Sequence, residues 1–414
     1  MMRLTLLLLL VLAQFAFAQQ PFALKPNDRV VFFGDSITDQ RLYTTFAETY
    51  VVTRFPKANI SFIHSGWGGD RVTGGGGGPI DVRLYRDVIP YNPTVVTVML
   101  GMNDGRYRAF DQPLFDEFAA GTKHIVSVLK RQVPGARITL IQPSPYDDVT
   151  RAPLFEGGYN NVLLRYSDFL QELATSEKLS VADLNRPVAA ELAKANAIDA
   201  AAAARLIPDR VHPGAAGHLL MAKALLLAWN APSLVSDVEI DATRKSVVGQ
   251  KNSLVSDLRS SGKSLTWSQL DEALPMPVDL QEALTVLALK SSAFSDALNR
   301  QPLKVRSLSA ATYSLRIDGQ VVGSFSSEQL AAGINLAELP TPMVDQAAAV
   351  HALTLQHTAI HNTRWRQVQV PLQRVNAPEV LDALKALDLL EAALVREQRA
   401  VAQPLARKYE LIPE

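Results

Sequence analysis

Five short apolar runs, separated by stretches of helical character, fix what the first half of this chain can fold into. They are Val30–Phe33, Ile60–Ile63, Val95–Leu100, Ile138–Ile141 and about Leu179–Ala182. None alternates strictly with polar residues, so each reads as a parallel strand buried on both faces. Amphipathic stretches lie between them near Arg41–Arg54, Val82–Ile89, Leu114–Gln132 and Tyr159–Lys178. Pro187–Ala204 is Ala-rich and reads as helix, and Gly214–Trp229 reads as a closing helix. Such alternation predicts a doubly wound α/β/α sandwich. In an open parallel sheet the strand ends share one edge, where ligands bind.

Three successive runs end in loops built of small or amide-bearing residues at that edge. Val30-Val-Phe-Phe-Gly-Asp-Ser36 ends the first, His64-Ser-Gly-Trp-Gly-Gly-Asp70 the second and Gly101-Met-Asn-Asp104 the third. Further on, Asp209-Arg-Val-His212 puts a carboxylate and an imidazole three residues apart. A nucleophile, a base and an acid that orients the base are what acyl transfer requires. Taken singly, Gly-Asp-Ser marks a turn, and Asp35 and Ser36 can simply satisfy backbone donors where strand gives way to helix. The residue two after Ser36 is Thr38, so the Gly-x-Ser-x-Gly elbow of the α/β-hydrolases is absent.

The four motifs together, in this order and spacing, resemble the SGNH/GDSL hydrolase superfamily over roughly Asn27 to Trp229, about half the chain. The resemblance implies a flavodoxin-like, five-stranded parallel sheet of order 2-1-3-4-5. It implies Ser36 as nucleophile, His212 as base and Asp209 as its orienting acid. Ser36 N–H, Gly69 N–H and the Asn103 amide would form the oxyanion hole, and no cofactor or metal is needed. The sequence departs from the family pattern twice. His64 stands where the second motif usually begins with Asn, and Met102 fills the variable place of the third. Ester hydrolysis is the implied activity, with a carbohydrate O-acetyl ester as the favoured substrate. A lipase or arylesterase for longer acyl chains, and a non-catalytic carbohydrate-binding protein, are the alternatives. Trp67, Tyr146 and Tyr159 are candidate platforms for sugar rings, though Trp67 equally reads as a core residue. His218, on the closing helix, reads as structural.

Composition narrows the partners. Lys+Arg and Asp+Glu balance at 41 each, which gives no basis for a nucleic-acid surface. Cysteine is absent, excluding disulfides, Cys–zinc sites and thiol catalysis. Residues 1–18 read as a secretory signal: Arg3 is the only charge, Leu4–Phe17 is almost wholly apolar, and Ala16-Phe-Ala18 offers a cleavage site before Gln19. Export to the periplasm or outside a bacterial cell is the expectation, with no membrane attachment after cleavage. Oligomeric state is open.

The hydrolase region is expected to span residues 19–232 and fold alone, with 233–414 an α+β accessory region. In that second half Val247–Arg259 and Val278–Leu298 read as helical, and Leu303–Ser307 and Tyr313–Ile317 as strands. Asp318-Gly319 signals a hairpin. Glu338–Trp365 and Ala377–Ala402 read as long helices, the latter packing on its own region or making a dimer contact. His351, His357 and His361 include an i, i+4 pair of the zinc-binding kind. With no third ligand visible they read as a solvated helix face. Gly74–Gly78 reads as a flexible turn or a mobile rim of the site. Tyr146, Asp147 and Asp148 are candidates to line the cleft, and the adjacent carboxylates lack the ligand cluster a cation needs.

Overall fold

A computed structural model describes residues 21–414; the signal segment expected at 1–18 lies outside the described residues. The first half is the expected α/β/α sandwich. Its strands are β1 (Arg29–Gly34), β2 (Ser61–Gly66), β3 (Val95–Met99), β4 (Arg137–Gln142) and β5 (Ser180–Asp183). All pair in parallel in the order β2-β1-β3-β4-β5. Val30–Phe33 of β1 are fully buried and every residue of β3 is buried, as continuous apolar runs require. The helices are α1 (Ser36–Asp39), α2 (Leu42–Arg54), α3 (Ile80–Asp87), α4 (Gln112–Gln132), α5 (Gly158–Glu177), α6 (Arg186–Ile198) and α7 (Ala215–Ala228). Strand order reverses beside β1, so a crevice opens between the loops after β1 and β3. Among the described residues no helix is long and apolar enough to cross a membrane.

The second half holds two antiparallel or mixed sheets and two long helices, α8 (Pro342–Asn362) and α9 (Pro378–Val401). Val247–Arg259 is not helical. It forms strands Ser246–Lys251 and Ser253–Ser261, joined at Asn252, whose φ of 52° makes the turn. Leu254, Val255 and Leu258 look helical in spacing, but hairpin pairing with Ser264–Asp271, itself packed on a third strand, prevails over helical preference. The expected 278–298 helix shrinks to Ala283–Ser292 and Phe294–Leu298. The hairpin is present, with Ile317 opposite Gln320 across Asp318-Gly319. An unforeseen strand, Arg407–Pro413, lies between 264–271 and 312–317 and buries Tyr409 and Leu411.

The two halves meet along a buried seam. Arg54 at the end of α2 donates to the carbonyls of Pro232, Leu234 and Leu298 at 2.8–3.0 Å. Farther along, Glu48 of α2 is buried among groups from three elements. It accepts from His64 Nε2 of β2 at 2.9 Å, His357 Nε2 of α8 at 2.6 Å and Gln398 Nε2 of α9 at 2.9 Å. Glu391 of α9 lies 3.2 Å from His361 Nδ1 and 3.7 Å from His357 Nδ1. His357 and His361 are thus buried partners of carboxylates, not the solvated face expected of them; packing α8 against α2 turned them inward. His64 fills its unusual place in the second motif for the same reason: Thr44 engages its Nδ1 at 2.7 Å, and its other nitrogen meets Glu48.

The protonation pattern follows from this geometry. Burial works against an imidazolium at His357, but the Glu48 and Glu391 carboxylates outweigh it and push its pKa up to about 10. Burial, helped by the nearby His357 and His361, outweighs Glu48 and holds His64 below its usual range, so it donates as a neutral ring. Burial would raise Glu391, but its histidine partners take it down to about 2. Linkage then fixes the signs. The His357 contribution is complete below about pH 6.5 and is lost as pH climbs toward 10; that of Glu391 is present above about pH 4.5 and lost toward pH 2. The thermal midpoint should therefore fall between about pH 7 and pH 10. His357→Gln should flatten that slope and, by breaking a buried pair, destabilise the protein by about 3 kcal/mol at neutral pH. A variant with unchanged slope in a pH series of melting curves would place the charge elsewhere.

Candidate active site

Ser36 stands where β1 stops and turns into α1. Asp35 caps the turn, its Oδ1 accepting from Ile37 N–H at 3.0 Å. The turn is tight because β2 ends in Gly66, against which α1 packs; a Cβ there would lie 2.1 Å from the Asp39 nitrogen. Ser36 N–H, in the first turn of α1, has no partner among the described residues. Ser36 Oγ lies 2.8 Å from His212 Nε2, and His212 Nδ1 lies 2.7 Å from Asp209 Oδ2. The other Asp209 oxygen accepts from the backbone N–H groups of Val211 and His212 at 2.9 and 2.7 Å. Partial burial alone would raise its carboxyl; these bonds hold it below the usual range.

Other residues clamp the Asp209–His212 loop. Arg151 donates to the carbonyls of Ala204, Ile207 and Pro208 at 2.8–2.9 Å. Arg210, in the left-handed region at φ 72°, donates to Ala152 O at 2.9 Å, and its carbonyl accepts from Asp147 N–H at 2.9 Å. Asp147 is buried, accepting from Val149 and Thr150 N–H, and Asp148 accepts from Asn160 N–H and faces Arg210 at 3.5 Å. These two carboxylates brace the loop rather than line a cleft or bind a cation. On the loop's far side Tyr43 N–H donates to His218 Nδ1, His218 Nε2–H to Gln40 Oε1, and Gln40 Nε2 to Pro213 O. Burial lowers His218 to about 3, so the ring is neutral; the Tyr43 N–H on Nδ1 puts its proton on Nε2, and its role is structural, as expected from its place on α7.

Gly69 and Asn103 occupy neighbouring loops. Gly69 has φ 77°, and a Cβ there would meet nothing within 4 Å. Backbone conformation, more than lack of room inside the protein, calls for glycine. Asn103 donates one Nδ2 hydrogen to Asp70 O at 3.0 Å, and its Oδ1 accepts from Tyr107 O–H at 2.7 Å. The second amide hydrogen has no partner among the described residues. Two carboxyls lie beneath, Asp35 and Asp104, each pushed up to about 7 by burial.

The aromatic residues fall elsewhere. Tyr159 is buried and its hydroxyl donates to Met102 O at 2.7 Å; Tyr146 is buried against it. Neither offers an open face, because Tyr107, 40% exposed, covers both. Trp67 is covered by Arg366, whose guanidinium carbon sits 3.5 Å from the ring centroid, while Trp365 meets it edge-on. The sugar platform expected of these three is absent from the structure. The glycine run is also not a loose rim: Gly74–Gly75 pairs with Gly78–Pro79, and Gly77 lies so close to Arg83 that a Cβ would come within 2.4 Å of its side chain.

A polar cleft of about 420 Å³ opens at Ser36 and His212. Asp39, Gln40 and Arg41 line it from the first half, and Asn362, Arg366 and Gln367 from the second. Sequence reasoning missed the latter three, more than 300 positions from Ser36 and outside any motif. Among the described residues no group of three or more His, Asp and Glu side chains is arranged to hold a metal ion.

Residues 32–220 match the GDSL-like lipase/acylhydrolase family. The chain is 24% identical over 222 residues to an acetylxylan esterase of Geobacillus stearothermophilus, covering 48% of this chain and 93% of that protein. It also resembles the solved structure of a gut microbial diltiazem-metabolizing enzyme, with a TM-score of 0.85 and 26% identity, covering 96% of this chain and 100% of the other. That likeness extends through the second half, so the whole architecture recurs in another enzyme. The fold, the motif-bearing loops and the family match agree: residues 32–220 form a domain of the SGNH/GDSL hydrolase superfamily, and the protein is a serine ester hydrolase.

Proposed function

We propose that the protein is an exported carbohydrate O-acetyl esterase working through Ser36, His212 and Asp209. The observation that carries the reading is the unbroken chain from Ser36 Oγ through His212 to Asp209, set beside unpartnered N–H groups. Ser36 Oγ attacks the ester carbonyl while its proton passes to His212 Nε2. Asp209 holds the imidazole in the tautomer with Nδ1 protonated and stabilises the imidazolium. Ser36 N–H, Gly69 N–H and the free Asn103 amide hydrogen receive the oxyanion. On collapse, the C–O bond to the alcohol breaks, His212 returns the proton to that oxygen, and an acyl-serine remains. Water, deprotonated by His212, then releases the acid and restores Ser36 Oγ–H.

A short acyl group and a polar alcohol fit the surroundings. The cleft at Ser36 is lined by charged and amide side chains, with no aliphatic wall for a long chain. The larger apolar cavity, about 680 Å³ among Phe46, Leu219, Val278 and Leu284, includes neither Ser36 nor His212. The similarity to an acetylxylan esterase supports the same choice. The N-terminal sequence, with its cleavable apolar stretch, supports export.

Ser36→Ala should abolish hydrolysis of p-nitrophenyl acetate and leave the melting temperature within about a degree, since the lost hydroxyl sits at a partly exposed turn. Residual activity within tenfold of the parent would remove Ser36 from the mechanism. Asn103→Ala should lower kcat roughly 10²–10³-fold with little change in KM, because its amide matters once charge develops on oxygen. An effect confined to KM would make it a substrate-positioning residue instead. Across p-nitrophenyl esters, kcat/KM should fall steeply from acetate to octanoate, and acetylated xylo-oligosaccharides should release acetate. Rates rising with chain length would favour a lipase.

A further inference from the structure

Arg41 is a charged residue with no obvious duty. It is half-buried in the wall of the cleft that holds Ser36 and His212. Its Nε donates to the Asp39 carbonyl at 3.2 Å, which fixes the base of the guanidinium. No carboxylate pairs with it among the described residues, whereas Arg366 beside it is matched by Asp39, with Nη1 3.2 and 3.3 Å from the two oxygens. The cleft therefore carries Arg41 and Arg366 against the single Asp39, a surplus of one positive charge. Burial and the nearby Arg366 both work against the Arg41 charge. Its backbone is held at φ 60°, a conformation uncommon for a long side chain. Strain of this kind persists where the surroundings impose it, and it is found at ligand-binding sites.

The opposite wall has its own irregularity. After α8 the chain continues as a π-helix over Thr363–Gln369, a form rare in proteins and frequent at functional sites. That winding brings Asn362, Arg366 and Gln367 to the same cleft. The Asn362 and Gln367 carboxamides are not tied to other side chains among the described residues, unlike Gln40, which His218 and Pro213 hold. Free amide and guanidinium donors thus converge on one space. The cleft includes His212, which returns a proton to the leaving alcohol, but neither Gly69 nor Asn103, which face the acyl oxygen. A group resting there belongs to the alcohol part of the ester.

We infer that this cleft is a subsite for an anion on the alcohol side of the substrate, a carboxylate such as that of an acetylated uronic acid, with Arg41 as its main contact. The inference rests on the esterase reading and narrows it from carbohydrate esters to acidic ones. A guanidinium pairs with a carboxylate through two parallel N–H···O bonds, stronger than neutral hydrogen bonds and selective for that geometry. Arg366, stacked on Trp67, takes Asp39 as its ion-pair partner; the Asp39 charge also favours the Arg41 cation, but at no ion-pair distance from it.

A matched pair of substrates tests this: an acetylated methyl glucuronoside with a free carboxylate, and the same compound as its neutral primary amide. The wild-type enzyme should favour the carboxylate by about ten- to a hundred-fold in kcat/KM at low salt, chiefly through KM. The preference should shrink as ionic strength rises. Arg41→Gln should bring the ratio to near one, and Arg41→Lys should keep part of it. Equal rates on the two by an enzyme that cleaves p-nitrophenyl acetate would overturn the subsite and leave the esterase reading standing. A preference that survives in Arg41→Gln would also overturn it. Failure to cleave p-nitrophenyl acetate would instead strike at the esterase reading. Should Arg41→Gln not fold, inhibition of wild-type p-nitrophenyl acetate hydrolysis decides. Glucuronate should compete at least about ten times more tightly than glucose, and equal inhibition counts against the proposal.

Discussion

Arg83 is wholly buried, and most of the site depends on where its guanidinium goes. It donates to Asp70 Oδ2 at 2.6 Å, to Ser65 O at 2.8 Å and to Asp87. Its plane packs among the rings of Phe33, Trp67 and Trp365. A buried ion pair is a poor source of stability, because desolvating the charges offsets much of their attraction. Geometry is what this one supplies. Asp70, held by Arg83, presents the carbonyl to which Asn103 donates. Asp87, held by the same cation, accepts from the Trp365 indole at 2.7 Å and so anchors the second half. Gly77 lies against the Arg83 side chain, which explains a glycine run at that point better than mobility does.

The gathering of the motif residues at one edge was legible in the sequence because they lie at strand ends. Ser36, Gly69, Asn103 and the Asp209–His212 pair each sit in a short string whose residue types have few other uses in that order. The sheet, too, was readable, since a strand buried on both faces leaves an uninterrupted apolar run. What the sequence could not convey was partnership across hundreds of positions. The pair His357 and His361 has the spacing of a zinc site or of a solvated face, and nothing nearby in sequence points to Glu48 or Glu391. The Val247–Arg259 segment fails differently: it has helical spacing, yet it splits at Asn252 into two strands that pair with their immediate neighbours, 237–241 and 264–271. Trp67 looked like a sugar platform because it sits beside Gly69, but Arg366, from the other half, packs close on the ring, with Arg83 and Arg86 also near it.

The same distant contacts bear on the relation between the halves. A domain of the size of residues 19–232 is large enough to fold alone in principle. Here helix α2 carries two buried charged groups, Glu48 and Arg54, with partners in residues 232–414, and His64 of β2 leans on the same Glu48. Removing those partners would leave charges in an apolar setting with no compensation, which is costlier than removing apolar contacts alone. The seam thus couples stability of the first half to the presence of the second.

That coupling has a functional side. The motif residues Ser36, Gly69, Asn103, Asp209 and His212 all lie before residue 213, so their arrangement can stay constant while the second half varies. The second half delivers Asn362, Arg366 and Gln367 to the cleft through one helical irregularity, and it fixes that irregularity by seating Trp365 on Asp87. A single indole hydrogen bond therefore joins the amide-bearing wall of the cleft to the guanidinium that holds Asp70, the acceptor of Asn103. Movement of the Pro342–Gln369 segment would change both together. The cleft is better understood as the place where two halves meet than as a hydrolase pocket with an appendage, because neither half alone brings the nucleophile and the amide-bearing wall to the same space.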